Sequence, residues 1–296
     1  DSQMCGCGNL PRFYHVVAPQ VWAWGAKRAK KFPKVFDKLY SFFEFEKPYF
    51  TKYGLDTVAV GHPIADGLNI SNYRAADGGK KIITLLPGSR MSEVKKLLPV
   101  FHSVVNRMTK THLNRWDGIR FSNQAAQHPS NKPKYDDKGF EFVIPTTETT
   151  EKFIRNETKN WTIKPRLIPF KDRYQTLEKT YIAIAASGTI SAELAIMHIP
   201  AIVVYKMNAL TMCLACRMVK IKWVSLVNIL LQKTVYPELL GGDATAENIV
   251  REVERLSKSR PREKMISELK SADKMWRRTE DKTASQLIAE DILKTV

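Results

Sequence analysis

Two short turns carry the residues best suited to do chemistry in this chain. The first, Ser187-Gly188-Thr189, separates an apolar run, Tyr181-Ile182-Ala183-Ile184, from a helical pattern that contains Glu193. The run reads as a buried parallel strand, and Pro200 to Tyr205 reads as the next. Small residues at such a junction let backbone N–H groups approach an anion closely. The helix N-terminus adds roughly half a positive charge there. Glu193 lies one turn into the helix, where a carboxylate either takes advantage of the helix dipole or accepts hydrogen bonds from a ribose. Its apolar neighbours Leu194, Ala195 and Ile196 favour the ribose. The second turn, Pro87-Gly88-Ser89-Arg90, follows the strand pattern Lys81 to Leu86. Gly88 permits the bend, Ser89 can donate to a phosphate, and Arg90 can grip one bidentately. Alone, it is equally an ordinary strand-to-helix turn with a solvated arginine. Together, two such turns at strand ends of one sheet can converge on a single diphosphate.

The elements that must hold these turns are visible in the periodicity. Phe13 to Val17 reads as a strand, Val35 to Phe45 as helix then strand, Pro48 to Tyr53 as a short helix and Thr57 to Val60 as a strand. Residues 71–80 are polar, carry Gly78 and Gly79, and form the best linker candidate. From Ser92 to Lys110, Val94, Leu97, Leu98, Phe101, Val104 and Val105 recur at helical spacing. Weaker strand patterns lie at Ile119–Phe121, Phe142–Ile144 and Arg166–Ile168, a polar loop at His128–Lys138, and charged helices from Thr245 onward. Strands alternating with helices imply an α/β fold with a mostly parallel sheet. A complete unit spans roughly Lys80 to Gly242, and an incomplete one precedes it.

Composition narrows the partners. The 296 residues include 47 Lys+Arg against 30 Asp+Glu, a formal charge of +17, with 44% hydrophobic residues. Such a field draws in polyanions: nucleic acid, an anionic membrane surface or phosphorylated substrates. Trp22, Trp24, Phe42, Phe43, Tyr49 and Phe50 interleave with Lys27, Arg28, Lys30 and Lys31, which suits a membrane surface at least as well as RNA. The Trp22/Trp24 pair itself fits a core or interface better than a base-stacking platform. No RNP-like, KH or zinc pattern supports an RNA-binding reading. Cys5, Cys7, Cys213 and Cys216 lack zinc-site spacing with histidines and read as reduced thiols. Ile182 to Tyr205 contains Glu193, His198 and Pro200, which argues against a membrane span. The chain has no G-x-x-x-x-G-K-[ST], G-x-G-x-x-G with a following acid, or G-x-S-x-G motif, and no acidic metal cluster. A diphosphate would be neutralised by arginine, hydroxyls and helix ends, which points to metal-independent transfer from a nucleotide-activated donor without a cofactor. His62 before Pro63 fits a structural role as well as a cleft, and Asn228 in its apolar run can cap a turn or satisfy backbone groups.

Set in order, these segments resemble the lipid-A-disaccharide synthase family. The matching pieces are Val17-Ala18-Pro19-Gln20-Val21-Trp22-Ala23-Trp24, Phe45-Glu46-Lys47, Val60-Gly61-His62-Pro63 and Leu86-Pro87-Gly88-Ser89-Arg90. Further on come Ala186-Ser187-Gly188-Thr189 with Glu193, Val204-Tyr205-Lys206-Met207, and Val224-Ser225-Leu226-Val227-Asn228. The resemblance implies a GT-B fold: a partial acceptor-side Rossmann-like domain over 1–72, a donor domain over 80–250, and C-terminal helices over 251–296 packing back across the domains. It implies condensation of UDP-2,3-diacylglucosamine with 2,3-diacylglucosamine 1-phosphate to a β-1,6-linked disaccharide and UDP, with inversion and without a metal. Ser89, Arg90, Ser187, Gly188 and Thr189 would hold the diphosphate, Glu193 the ribose, and Asn228 would lie near the leaving group. Tyr205 belongs to the same donor set. The expected setting is the cytoplasmic face of a bacterial inner membrane, with acylated anionic substrates, no nucleic acid and a homo-oligomer as one option. The family's glycine-rich opening and acidic general base have no match before Phe13. The base is therefore expected upstream of Asp1, and the chain as written is expected to bind UDP but transfer poorly. The alternative is a non-catalytic UDP-sugar- or lipid-binding remnant of the same fold.

Overall fold

A computed structural model describes residues 11–23, 25–68, 81–120, 139–206, 222–277 and 281–294. Trp24, the four cysteines, the 71–80 linker, the 128–138 loop and Met207 lie outside the described residues. The chain divides into two compact units. One holds the residues up to Gly67 together with those from Asp273 onward, and the other runs from Leu68 to Ala272 apart from a short stretch outside the described residues.

In the first unit, β1 (Tyr14–Val16), β2 (Lys38–Ser41) and β3 (Asp56–Ala59) form a parallel sheet in that order. Alternation along β2 sends Leu39 to one face and Tyr40 to the other. Leu39 packs with Ala18, Val21, Ala29, Phe50 and Leu55. The segment Ala26–Lys34 is a 3-10 helix that buries only Ala29 and keeps its lysines outward. The helical part expected within 35–45 thus lies earlier, and β2 follows it directly. Two short helices, α1 (Pro48–Thr51) and α2 (Pro63–Gly67), complete the N-terminal part.

The interleaved aromatics among the described residues are buried or half-buried. Phe43 and Phe50 are buried, and the Trp22 ring meets Phe45 edge-on at 5.5 Å while its Nε1 donates to Glu46 at 3.3 Å. Large apolar side chains that do face solvent in this unit include Phe13, Val16, Val17 and Val35. The apolar surface expected from Trp22, Phe42 and their neighbours is therefore supplied by other residues. Among the described residues, no helix is long and apolar enough to cross a membrane.

The second unit is a six-stranded sheet: β4 (Lys81–Leu86), β5 (Phe140–Thr146), β6 (Arg166–Pro169), β7 (Thr180–Ala186), β8 (Ala201–Tyr205) and β9 (Glu238–Leu240). Its spatial order is β6-β5-β4-β7-β8-β9, and every neighbouring pair is parallel. Ile83, Leu85, Ile182 and Ile184 on the two central strands are fully buried, as the continuous apolar runs require of a sheet covered on both faces. The helices are α3 (Met91–Arg120), α4 (Glu148–Thr158), α5 (Arg173–Leu177), α6 (Thr189–Ile196), α7 (Leu226–Leu231), α8 (Ala246–Leu256) and α9 (Ser259–Lys270). Helix α3 packs on α4 and α8, and α9 packs on α6. Ile119, expected to open a strand, is helical in α3. Extending an established helix by a residue costs far less than nucleating a new element, and the 3.6-residue pattern wins.

The last helices, α10 (Asp273–Trp276) and α11 (Ala284–Leu293), return to the first unit. Leu287, Ile288 and Ile292 of α11 pack with Tyr14, Tyr40 and Val58 on the other face of the three-stranded sheet. The Asp291 carboxylate accepts from Tyr40 at 2.8 Å and pairs with Lys38 at 2.6 Å. Hydrogen bonding to Lys38 and Tyr40 holds the Asp291 carboxyl below the usual range. Relative to the expected boundary at 251, α8 and α9 stay with the second unit and the division falls after Ala272.

Candidate functional site

Numbered from β4, the strand order is 3-2-1-4-5-6, the arrangement of a doubly wound nucleotide-binding sheet. The chain reverses its direction of travel between β4 and β7. At that switch point the helices leave to opposite faces and a crevice opens beyond the carboxyl ends of the strands. Leu86 pairs with Ala185 there, so the turns at 87–90 and 187–189 emerge side by side. One cleft is lined by both turns together with Glu93, Pro145, Phe170 and Glu193.

The glycines are required by the backbone. Gly88 has φ +104° and Gly188 φ +149°, a region that L side chains rarely adopt. A Cβ on Gly88 would lie 2.2 Å from Glu93 Oε2, because the Glu93 side chain folds back over it. The Glu93 Oε1 pairs with Arg90 Nη1 at 3.2 Å, yet the Arg90 side chain is 79% exposed and remains able to swing. At Gly188 a Cβ would meet nothing within 4 Å, so the missing side chain leaves open space at the start of α6. No side chain caps that helix, and Ser191 N–H and Oγ both donate to the Gly188 carbonyl. Residues 191–196 are buried, which anchors α6 and fixes the direction of its N-terminus.

Glu193 is the charged residue of this helix, 6% exposed among Ala192, Leu194 and Ala195. A carboxylate so placed needs a partner. Arg173 at the start of α5 supplies it, with Nε donating to Oε2 at 3.0 Å and Nη2 to Oε1 at 3.3 Å. The guanidinium lies 4.0 Å from the ring centroids of both Phe170 and Tyr174. Burial, and then the Glu193 charge, push the Tyr174 hydroxyl above its usual value.

The family described as lipid-A-disaccharide synthetase matches residues 9–291. The chain belongs to this family. The lipid-A-disaccharide synthase of Rhodospirillum centenum is 31% identical over 264 residues, which covers 86% of this chain and 60% of that protein. The chain therefore spans about 60% of the length of this curated relative. Among solved structures, MnaA of S. aureus in its UDP co-structure superimposes with a TM-score of 0.54 at 14% identity, covering 89% of this chain and 62% of that one. MurG of Acinetobacter baumannii gives 0.51 at 11% identity, covering 88% and 61%. At such identities the likeness is one of fold: α/β with parallel sheets, of the GT-B type.

Within this lipid-A-disaccharide synthetase fold, Ser89, Arg90, Ser187, Gly188, Thr189 and Glu193 are brought together in one cleft. Tyr205 stands at the carboxyl end of β8, half-buried, and is not among the residues lining that cleft. Asn228, expected near the leaving group, is held by the fold itself. It is fully buried in α7, and its amide is consumed internally. Its Oδ1 accepts from Val235 N–H at 2.8 Å and Tyr236 N–H at 2.9 Å, while its Nδ2 donates to the Tyr236 carbonyl and to Glu238 Oε1, each at 2.8 Å. Glu238 also accepts from Val224 N–H, Ser225 N–H and Ser225 Oγ, so a strand carboxylate satisfies the start of α7. These side chains join a helix to a strand, and the four hydrogen-bonding positions of the Asn228 amide are all occupied within the protein.

His62 lies in the first unit among Phe42, Phe43 and Trp276, and its Nδ1 accepts from Ile64 N–H at 3.3 Å. Burial pushes its pKa down. Sequence reasoning missed Glu93, Phe170 and Arg173. Phe170 and Arg173 follow Pro169 at the end of β6, so the strand-end rule applied to the first two turns would have flagged them.

Proposed function

We propose that the second unit binds the UDP moiety of a nucleotide-activated acylated glucosamine. We further propose that the chain serves formation of the β-1,6-linked lipid A disaccharide from UDP-2,3-diacylglucosamine and 2,3-diacylglucosamine 1-phosphate. The observation that carries this reading is the convergence of two glycine turns and Glu193 on one cleft at the switch point of the sheet. Thr189 and its neighbours at the start of α6 would face the diphosphate with backbone N–H groups and the positive helix end, Ser89 and Ser187 would add hydroxyl donors, and Arg90 would close over it from solvent. Tyr205, at the same end of the sheet, would border the donor. When the sugar–oxygen bond breaks, negative charge collects on the departing UDP, and these fixed donors would stabilise it. The acceptor hydroxyl needs a positioned base to take its proton.

The formal charge of +17 and the solvent-facing Phe13, Val16, Val17 and Val35 support work on acylated, anionic substrates at the cytoplasmic face of a bacterial inner membrane. Isothermal calorimetry with UDP, alongside a radiolabelled disaccharide assay, tests the reading. Micromolar UDP binding that competes with the acylated UDP-sugar is expected. Absence of UDP binding, with tight salt-dependent RNA binding instead, would overturn it.

A further inference from the structure

The cleft holds a carboxylate whose orientation is set from outside its own helix. Phe170-Lys171-Asp172-Arg173-Tyr174 turns off the end of β6, at the same edge of the sheet as the two glycine turns. Arg173 has a side chain only 14% exposed and spends its donors within reach of that turn. Nη1 donates to the Phe170 carbonyl at 3.2 Å, Nη2 to Tyr174 Oη at 2.6 Å as well as to Glu193, and Nε to Glu193. Aromatic rings lie within 4.0 Å of the guanidinium on Phe170 and Tyr174. A planar cation held by its neighbours' rings and bonded along its edge has lost its rotational freedom before any ligand arrives.

Neutralising a buried charge would need only a nearby cation. The side-on, bidentate pairing achieves more: each Glu193 oxygen takes one hydrogen from Arg173, the Tyr174 hydroxyl also bonds to the carboxylate, and lone-pair capacity remains for a ligand donor. Glu193 lines the cleft beside Phe170. A carboxylate with two fixed oxygens and lone-pair capacity to spare suits the adjacent hydroxyls of a ribose. We propose that Arg173 is a positioning residue that sets the Glu193 carboxylate to read the vicinal diol of a nucleoside ribose. This proposal rests on the assignment of the cleft to UDP.

The test compares UDP, 2′-deoxy-UDP, 3′-deoxy-UDP and inorganic pyrophosphate by calorimetry on the full chain and on R173K. Lysine keeps the charge but cannot make the side-on pair. The parent protein is expected to prefer UDP over each deoxy analogue by about 10-fold or more, as the loss of a charge-assisted hydrogen bond implies. In R173K that preference should fall to about twofold, with pyrophosphate affinity within about twofold of the parent. An unchanged preference in R173K, or an equal loss for UDP and pyrophosphate, overturns the positioning role. A parent that binds UDP without preferring it to the deoxy analogues overturns the diol reading while leaving the UDP assignment intact. A parent that does not bind UDP overturns both. Should R173K not fold, R173Q decides instead, since its single amide cannot make the two-point pair with Glu193. A partial loss of ribose preference supports the proposal, and full preference refutes it.

Discussion

Replacing Asn228 by alanine separates a residue that holds the fold from one that touches the reacting groups. The Oδ1 accepts the N–H groups of Val235 and Tyr236, and Nδ2 serves the Tyr236 carbonyl and the Glu238 carboxylate, all at a residue with 0% exposure. Val235 and Tyr236 are themselves buried, so water cannot easily take the place of the lost amide. Each stranded buried N–H costs about 1–3 kcal/mol. Two of them, with some relaxation and the lost carbonyl contact, give a destabilisation of about 3–5 kcal/mol. That is a large share of the roughly 5–15 kcal/mol by which domains are stable. With a urea dependence of about 2 kcal/mol per molar, the midpoint of the unfolding transition should fall by about 1.5–2.5 M. Urea denaturation followed by tryptophan fluorescence measures this. Asn228→Asp adds a second arm, because it keeps both acceptors but sets a carboxylate against Glu238 Oε1. The neighbouring charge raises the folded-state pKa of the introduced acid, so stability is greatest below its unfolded value and falls as pH rises. If Asn228→Ala unfolds within about 1 kcal/mol of the parent while UDP affinity collapses, the residue acts on the ligand and our account of it is wrong.

The other consequences can be checked on the same material. Arg90→Ala should weaken UDP binding by about 1.5–3 kcal/mol and leave thermal stability nearly unchanged, as expected for a charge-assisted contact made by a side chain that is 79% exposed. Equal UDP affinity by calorimetry would remove Arg90 from the site. Gly88→Ala places a Cβ 2.2 Å from Glu93 Oε2 at φ +104°, so UDP affinity should drop at least about 10-fold. Adding Glu93→Ala should restore only part, because the backbone strain stays, and full restoration would show that only the clash mattered. His62 takes up a proton less readily when folded than at its ordinary 6.5, through burial. Its contribution to stability is therefore complete above that pH and is lost as pH falls below it. Melting curves between about pH 5 and 8 should show a steeper acid loss for the parent than for His62→Gln, and parallel curves would refute the assignment.

The strands were legible where burial on both faces leaves an uninterrupted apolar run, as in Lys81–Leu86, Thr180–Ala186 and Ala201–Tyr205. The two glycine turns were legible because their positions at strand ends follow from those runs. Arg173 was not, since its link to Glu193 spans 20 residues and exists only once β6 and β7 share a sheet. Asn228 shows a different limit. Its residue type in an apolar run allowed a backbone-satisfying role, which its hydrogen bonds show, while a place near the leaving group came from family resemblance alone. Ile119 failed for a local reason, because a few β-prone residues cannot compete with a helix already under way.

The return of α11 to the first sheet imposes an order on synthesis. Tyr40 and Asp291, joined by a hydrogen bond, are separated by 251 positions along the chain. At ribosomal rates of about 5–20 residues per second, roughly 12–50 s pass between their appearances. The second unit, from Leu68 to Ala272, emerges entirely within that interval and has its strands in hand before α11 exists. During that wait the face bearing Tyr14, Tyr40 and Val58 lacks the helix that covers it in the finished protein. These strands are thus covered long after they are made, and the nascent chain exposes that face in the interval.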